Sequence, residues 1–343
     1  MVQTKLPACI IRKLRLMKTT LQFKYKESVE RENDDRVDVI VLSPAFFFKT
    51  RLLQFLKRKW FCDYLGMVFF LSLSAVTPSG AQAWKEHGKL EVSENGHYLQ
   101  HADGTPFPWI GDTGWALFSK LDRKEVSDYL DIRQAQGFNV IQAVIFWYPH
   151  KTGSPGMPHN ATNAYGYRPF AGGQTPQTDQ PLLIDGNDPD FPNDYWDHVD
   201  FVMNEIEKRG MYLAALPCWG SAFVQARIRG SQVQFDVNQA RLYGQFLGRR
   251  YGNRPNIIWV LGGDIDPVNH GVGDQRQVYR AMAEGIGRGA TANMTLRWDQ
   301  AHDDWDKILM TFHAVQTPWQ NGDKGGSSSI WFHDDAWLDI NMM

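Results

Sequence analysis

The chain is 343 residues long, 43% hydrophobic and 22% charged, which excludes a disordered protein and supplies enough apolar mass for a large buried core. Three cysteines without a Cys-x-x-Cys pair exclude a disulfide scaffold and argue against a zinc or redox centre. The net charge of −2 averages unlike parts: residues 1–64 are basic, residues 65–83 carry no charge and residues 84–343 are acidic, so the part composed like a folded domain offers no basic surface for nucleic acid.

In chain order, the first organised feature is Lys57-Arg58-Lys59, an apolar stretch from Tyr64 to Thr77, and Ala81-Gln82-Ala83. Basic, apolar and small-x-small is the order of a secretory signal. The expectation is a signal peptide over 65–83 and export, periplasmic or secreted, after cleavage between Ala83 and Trp84. The signal starts far into the chain, so residues 1–64 read as an upstream basic extension that is not native to the mature protein. No apolar run is long enough for a confident membrane span, and no cysteine follows the signal to carry a lipid, so no stable membrane anchor is expected.

Past the signal, Leu90–Val92 and Tyr98–Gln100 flank Asn95-Gly96 and predict a β-hairpin. Phe107–Gly111 is a short apolar strand. Arg123–Gln136 has helical spacing at Val126, Tyr129, Leu130 and Arg133, stopped by Gly137. Val140–Trp147 is a strand, and Pro149–Asn193, rich in Gly, Pro, Asn and Thr, is a long rim loop that supplies no extra strand to the count. Helices are expected over Tyr195–Lys208, Val237–Tyr251 and Gln277–Ile286, and strands over Met211–Leu216, Ile257–Leu261 and Ile308–Phe312. Another strand starts at Trp337–Asn341.

Strands apolar on both faces, alternating with helices, specify an α/β protein with a parallel sheet. An open doubly wound sheet and a (β/α)8 barrel both fit. No Gly-x-Gly-x-x-Gly follows the first strand, which weakens the dinucleotide-binding version. Polar and aromatic residues gather instead just past the strand ends: Asp112, Trp115, Trp147, Tyr148, Trp219, Asp264, Asp266 and His313. In a barrel these ends share one rim, where active sites sit. The expectation is a (β/α)8 TIM barrel over residues 84–343, incomplete, with about six of eight strands and an N-terminal β-hairpin.

The sharpest chemical feature is Asn256-Ile257-Ile258-Trp259-Val260-Leu261-Gly262-Gly263-Asp264. A buried strand leads through two glycines to an acid at its tip. Walled by Trp259 and apolar neighbours, that acid can have its pKa raised and serve as a general acid; it can equally cap a helix or bind backbone amides. Gly111-Asp112-Thr113-Gly114-Trp115 repeats the arrangement. Asp112 there can bind sugar hydroxyls and Trp115 can stack on a ring, or the pair can be a helix cap and a core side chain. Residues 84–343 hold 12 of the 13 tryptophans, counted from the chain. His313 fits a substrate ligand, a proton relay or a satisfied rim histidine. No His-x-His or His-Glu-x-x-His occurs, so no metal is expected, and no cofactor either.

Six blocks in order carry a resemblance. They are Asp103-Gly104-Thr105-Pro106-Phe107, Gly111 to Trp115, Arg133 with Gly137-Phe138-Asn139-Val140-Ile141-Gln142, Trp259 to Asp264, Leu309-Met310-Thr311-Phe312-His313 and Trp337-Leu338-Asp339-Ile340-Asn341-Met342. From about Gly88 to Met343 the chain resembles the apiosidase-like (β/α)8 carbohydrate enzymes, glycoside hydrolase family 140 and its relatives. The resemblance implies an exported, retaining hydrolase of pectin side chains, cutting apiose-linked branches of rhamnogalacturonan II. It implies Asp264 as acid/base and a Glu nucleophile at a seventh strand end, beyond Met343. It implies an oligo- or polysaccharide partner held by Asp112, Trp115, Gln142, Trp147, Trp219, Asp266 and His313. The 343-residue chain itself is expected to be inactive or poorly folded, with Asp266, Asp299 and Asp339 as the other carboxylates that could complete a pair. Two rival readings remain: a non-catalytic carbohydrate-binding protein or decayed enzyme, and another endo-glycanase on the same barrel.

Overall fold

The computed structural model describes residues 82–147, 162–172, 177–186, 191–220, 235–268, 273–315 and 326–342. The expected signal up to Ala81, the extension before it, Tyr148 and parts of the loop from Pro149 to Asn193 lie outside the described residues. In chain order come α1 (Ala83–Glu86), β1 (Leu90–Val92), β2 (Leu99–His101), β3 (Gly111–Thr113), α2 (Leu117–Lys120), α3 (Arg123–Ala135) and β4 (Val140–Phe146). β5 (Phe170–Ala171), β6 (Gln177–Pro181), α4 (Tyr195–Lys208), β7 (Tyr212–Cys218) and α5 (Val237–Tyr251) follow. The chain continues with β8 (Ile257–Ile265), α6 (Arg276–Thr291), a 3-10 turn at Trp305–Lys307, β9 (Met310–Ala314) and α7 (Ser329–Phe332).

β3, β4, β7, β8 and β9 form one parallel sheet whose spatial order equals chain order. A doubly wound sheet reverses its order at a switch point. This one does not, so the described strands run as a barrel's do. The expected sixth strand is reduced to a single parallel bridge between Thr311 and Ile340. β5 and β6 pair antiparallel outside that sheet, so the segment adds no strand to the barrel, as expected, although it carries a short ribbon of its own. The hairpin β1–β2 has the expected strands, but its connection runs from Ser93 to Tyr98 and is longer than a two-residue turn.

The first barrel strand starts later than Phe107. Pro106 and Pro108 have no N–H to give a ladder. The Asn139 side chain fills the break, accepting from the Ile110 amide at 2.8 Å and donating to the Pro108 carbonyl at 2.7 Å. Only beyond it does Gly111 pair with Val140.

Both faces of the sheet are buried, as parallel sheets require. Ile141, Ala143, Ile145, Leu213, Ala215, Trp259, Leu261, Met310 and Phe312 pack toward the helices. Val140, Val144, Tyr212, Ala214, Leu216, Ile258 and Val260 form the other core with Trp84, Leu90 and Phe107. The rings of Trp84 and Phe107 meet Tyr212 edge-on at 5.1 and 4.9 Å, so α1 and the hairpin close the amino end of the strands as a floor.

At the opposite end three helix tyrosines fix the strand tips. The hydroxyls of Tyr195, Tyr243 and Tyr279 donate to the carbonyls of Ile145 (2.6 Å), Pro217 (2.8 Å) and Gly220 (3.3 Å). α4 and α5 begin at Asp194 and Asp236, whose carboxylates cap the first-turn amides, and both have the bounds expected. α6 runs five residues past the expected Ile286, to Thr291. Gly285 and Gly289 lie directly against Gly244 and Gly248 of α5. They are the contact surface of the two helices.

Candidate active site

β8 delivers Asp264 at the carboxyl end of the fourth parallel strand. The ladder to β9 slips there: Gly262 faces His313, while Ile265 already faces Ala314. Gly263 and Asp264 bulge out of the ladder, which re-aims the Asp264 side chain. Gly262, Gly263 and Asp264 all have positive φ, at 86°, 131° and 49°. For a residue with a Cβ this left-handed backbone costs about 1–2 kcal/mol, the kind of strain that collects at functional sites. A Cβ on Gly263 would stand 2.8 Å from the Gly220 amide and 2.9 Å from the Trp219 ring, so only glycine lets these strand ends close together.

Around Asp264 stand residues from every other described barrel strand. Trp219 stacks on Trp147 at 5.5 Å and meets the Trp115 edge at 5.0 Å. The His313 ring lies 5.6 Å from Trp115 and 5.9 Å from Trp219. The Trp115 carbonyl ties the group down, accepting from the Val144 amide and from Trp147 Nε1. The Asp264 carboxylate is 45% exposed, and its Oδ1 lies 3.5 Å from His313 Nδ1. Burial draws His313 toward its neutral form, with the Asp264 carboxylate pulling the other way. Trp115, Trp147, Trp219, Asp264 and His313 are therefore brought together.

Five sequence expectations need correction. Trp259 does not wall Asp264, because it lies on the helix-facing side of β8. Trp147 is 4% exposed and backs Trp219, so its face is not open to a sugar. Gln142 is buried within β4, five residues before Trp147, and is not among the residues gathered around Asp264. Asp266 is fully buried, and its Oδ1 accepts from the Val268 amide at 2.8 Å, a turn-forming contact rather than a rim ligand.

Asp112 is the fifth. It pairs with Ile141 and so shares the helix-facing side of the sheet. Its carboxylate accepts from the Tyr129 hydroxyl at 2.6 Å and forms an ion pair with Arg133. The Arg133 guanidinium lies over the Tyr129 and Phe138 rings. Partial burial works against the Asp112 carboxylate, yet Tyr129 and Arg133 hold it below the usual range. Asp112→Ala strips both partners at once and is expected to cost about 2–3 kcal/mol in urea unfolding. A loss below about 0.5 kcal/mol, the range of an ordinary surface change, would contradict that role.

The other carboxylates considered for a catalytic pair are committed elsewhere. Asp299 pairs with Arg297 at 2.7 Å. Asp339 lies at the floor, where its Oδ2 accepts from the Met310 amide at 2.8 Å. It lines a cavity of about 480 Å³ at the amino ends of the strands, with Lys89, Tyr212, Arg254 and Asp306. Burial pushes the Asp339 carboxyl up to about 7, against the Met310 bond and with help from Asp306. From its ordinary value of 3.8 up to about 7, the folded state keeps a proton that the unfolded state releases, so stability falls as pH rises across that window. Asp339→Asn keeps an acceptor for Met310 and removes the ionisation. The variant is expected to match the native protein near pH 4 and exceed it by roughly 2–4 kcal/mol at pH 8. An unchanged difference between the two pH values would contradict this.

Among the described residues no group of His, Cys, Asp and Glu converges as a metal site would, and no helix is long and apolar enough to cross a membrane. Cys218 is buried.

The family model of apiosidase-like catalytic domains matches residues 93–343. A crystal structure of a glycoside hydrolase family 5 from Bacteroides vulgatus ATCC 8482 is 30% identical over 77% of this chain and 46% of that one, with a TM-score of 0.55. A second solved glycoside hydrolase is 31% identical over 76% of this chain and 46% of that one, with a TM-score of 0.54. The chain spans about half the length of these two structures. No curated protein matches it.

Proposed function

The chain belongs to the apiosidase-like catalytic-domain family of glycoside hydrolases, and from that premise we propose that it serves a retaining hydrolase of pectic side chains in which Asp264 is the acid/base. In this reading the Asp264 carboxyl protonates the glycosidic oxygen as the C–O bond breaks. A second carboxylate, outside the described residues, attacks the anomeric carbon from the other face. Asp264, now ionised, then takes a proton from the water that releases the sugar. A pair of this kind needs its two carboxyl groups about 5–5.5 Å apart, and the Glu at a seventh strand end fills that place.

The observation that carries the reading is the half-exposed Asp264 carboxylate in a strained backbone at the fourth strand end, beside Trp115, Trp219 and His313. Trp115 and Trp219 are partly exposed and offer apolar faces of the kind that stack on sugar C–H groups. We extend the proposal to export, with Trp84 as the first mature residue. N-terminal sequencing that finds residues upstream of Trp84 would overturn that part.

The test of function is incubation of the full-length enzyme, seventh-strand Glu included, with apiose-bearing pectic oligosaccharides, mannan and cellulose oligosaccharides, with chromatography of the products. Release from the pectic substrates alone is the expected result. Cleavage of mannan or cellulose with pectin untouched would favour an endo-glycanase, and binding without release a carbohydrate-binding protein.

A further inference from the structure

The bulge that presents Asp264 also removes its backbone from the sheet. Gly262 and Ile265 pair with β9, while the two residues between them do not. A backbone amide left out of the ladder needs another acceptor. The acceptor is His313 Nδ1, 3.0 Å from the Asp264 nitrogen. An imidazole that accepts at Nδ1 is neutral and carries its proton on Nε2. The same Nδ1 lies 3.5 Å from Asp264 Oδ1, so one ring nitrogen faces both the amide and the carboxylate of a single residue.

We propose that His313 is a positioning residue for Asp264: its neutral ring holds the Asp264 amide and so keeps the left-handed backbone, and a proton arriving at Nδ1 converts it from amide acceptor to carboxylate donor. This role rests on the reading of Asp264 as acid/base. The ring is suited to such a switch. Trp115, from the segment after β3, and Trp219, after β7, pack on it without charge. Asp264 of β8 is the charged group that the described elements set against it. Burial disfavours the imidazolium, which keeps the acceptor form in place at neutral pH. In acid, Nδ1–H would face the amide N–H, that bond would break, and the ring would pair with the carboxylate.

The test uses the 343-residue protein with ¹⁵N-labelled histidine and no carbohydrate. The expected spectrum at neutral pH shows His313 protonated at Nε2 and accepting at Nδ1, titrating below the ordinary value of 6.5. His313→Asn places an amide oxygen near the Nδ1 position and retains an acceptor, whereas His313→Leu has none. Hydrogen exchange at the Asp264 amide is expected to quicken about tenfold in His313→Leu and to stay near native in His313→Asn, the scale of one hydrogen bond. Native protection should fall as the ring titrates, and protection in His313→Asn should not. An Nδ1–H tautomer in the native protein overturns the proposal, as does equal exchange in the two variants. If His313→Leu does not fold, the native tautomer still decides. A clamp found in the 343-residue protein while the full-length enzyme cleaves no glycoside would sink the glycosidase reading alone, and hydrolysis by the full-length enzyme without the clamp would sink this proposal alone.

Discussion

Asp264→Asn is expected to lower hydrolysis of unactivated pectic glycosides by the full-length enzyme about a thousandfold, within the range for loss of a general acid. The amide has nearly the shape of the carboxyl, so the strained backbone at φ 49° and the amide bond to His313 should persist. What is lost is the proton. A glycoside whose leaving group needs no protonation should therefore suffer far less in the bond-breaking step, while release of the sugar, which needs Asp264 as a base, should slow for both. Equal loss of kcat/KM, which reports the bond-breaking step, on good and poor leaving groups would place the residue in binding or folding instead.

Gly248→Ala has an expected sign opposite to the usual one. In an exposed helix interior, alanine for glycine gains about 1 kcal/mol. Here the added Cβ would stand 2.2 Å from the Ile286 carbonyl oxygen and 2.8 Å from the Ala290 amide. Backbone cannot swing aside as a side chain can, so α5 and α6 must separate. The expected loss is about 2–3 kcal/mol for alanine and more for leucine, read from the unfolding midpoint. A raised midpoint would show that the two helices are not in backbone contact.

The same helices mark what the sequence could and could not convey. α4 and α5 are bounded by Asp194 and Asp236 caps, local signals that need no partner. The end of α6 depends on α5, because its glycines mean contact only once Gly244 and Gly248 lie opposite. The tyrosine bonds from helix to strand tip, such as Tyr195 to Ile145, join residues with no sequence pattern between them.

The site divides in the same way. Strand ends are legible from apolar runs that stop, and they located Asp264, Trp219 and His313. Which face a residue takes is a matter of register. Asp112 lies between two interior-facing positions, and a strand that starts at Gly111 after Pro108 turns it toward Arg133. The His313 acceptor bond follows from a bulge that Gly262-Gly263 permits without announcing it.

The strands offer two places where a sugar could sit, the rim around Asp264 and the floor cavity of about 480 Å³. The most direct measurement is an NMR titration of the protein with an apiose-bearing pectic oligosaccharide. Shifts are expected at Trp115, Trp219, Asp264 and His313, with the floor unmoved. Shifts confined to Lys89, Tyr212 and Asp339 would contradict a site at the rim.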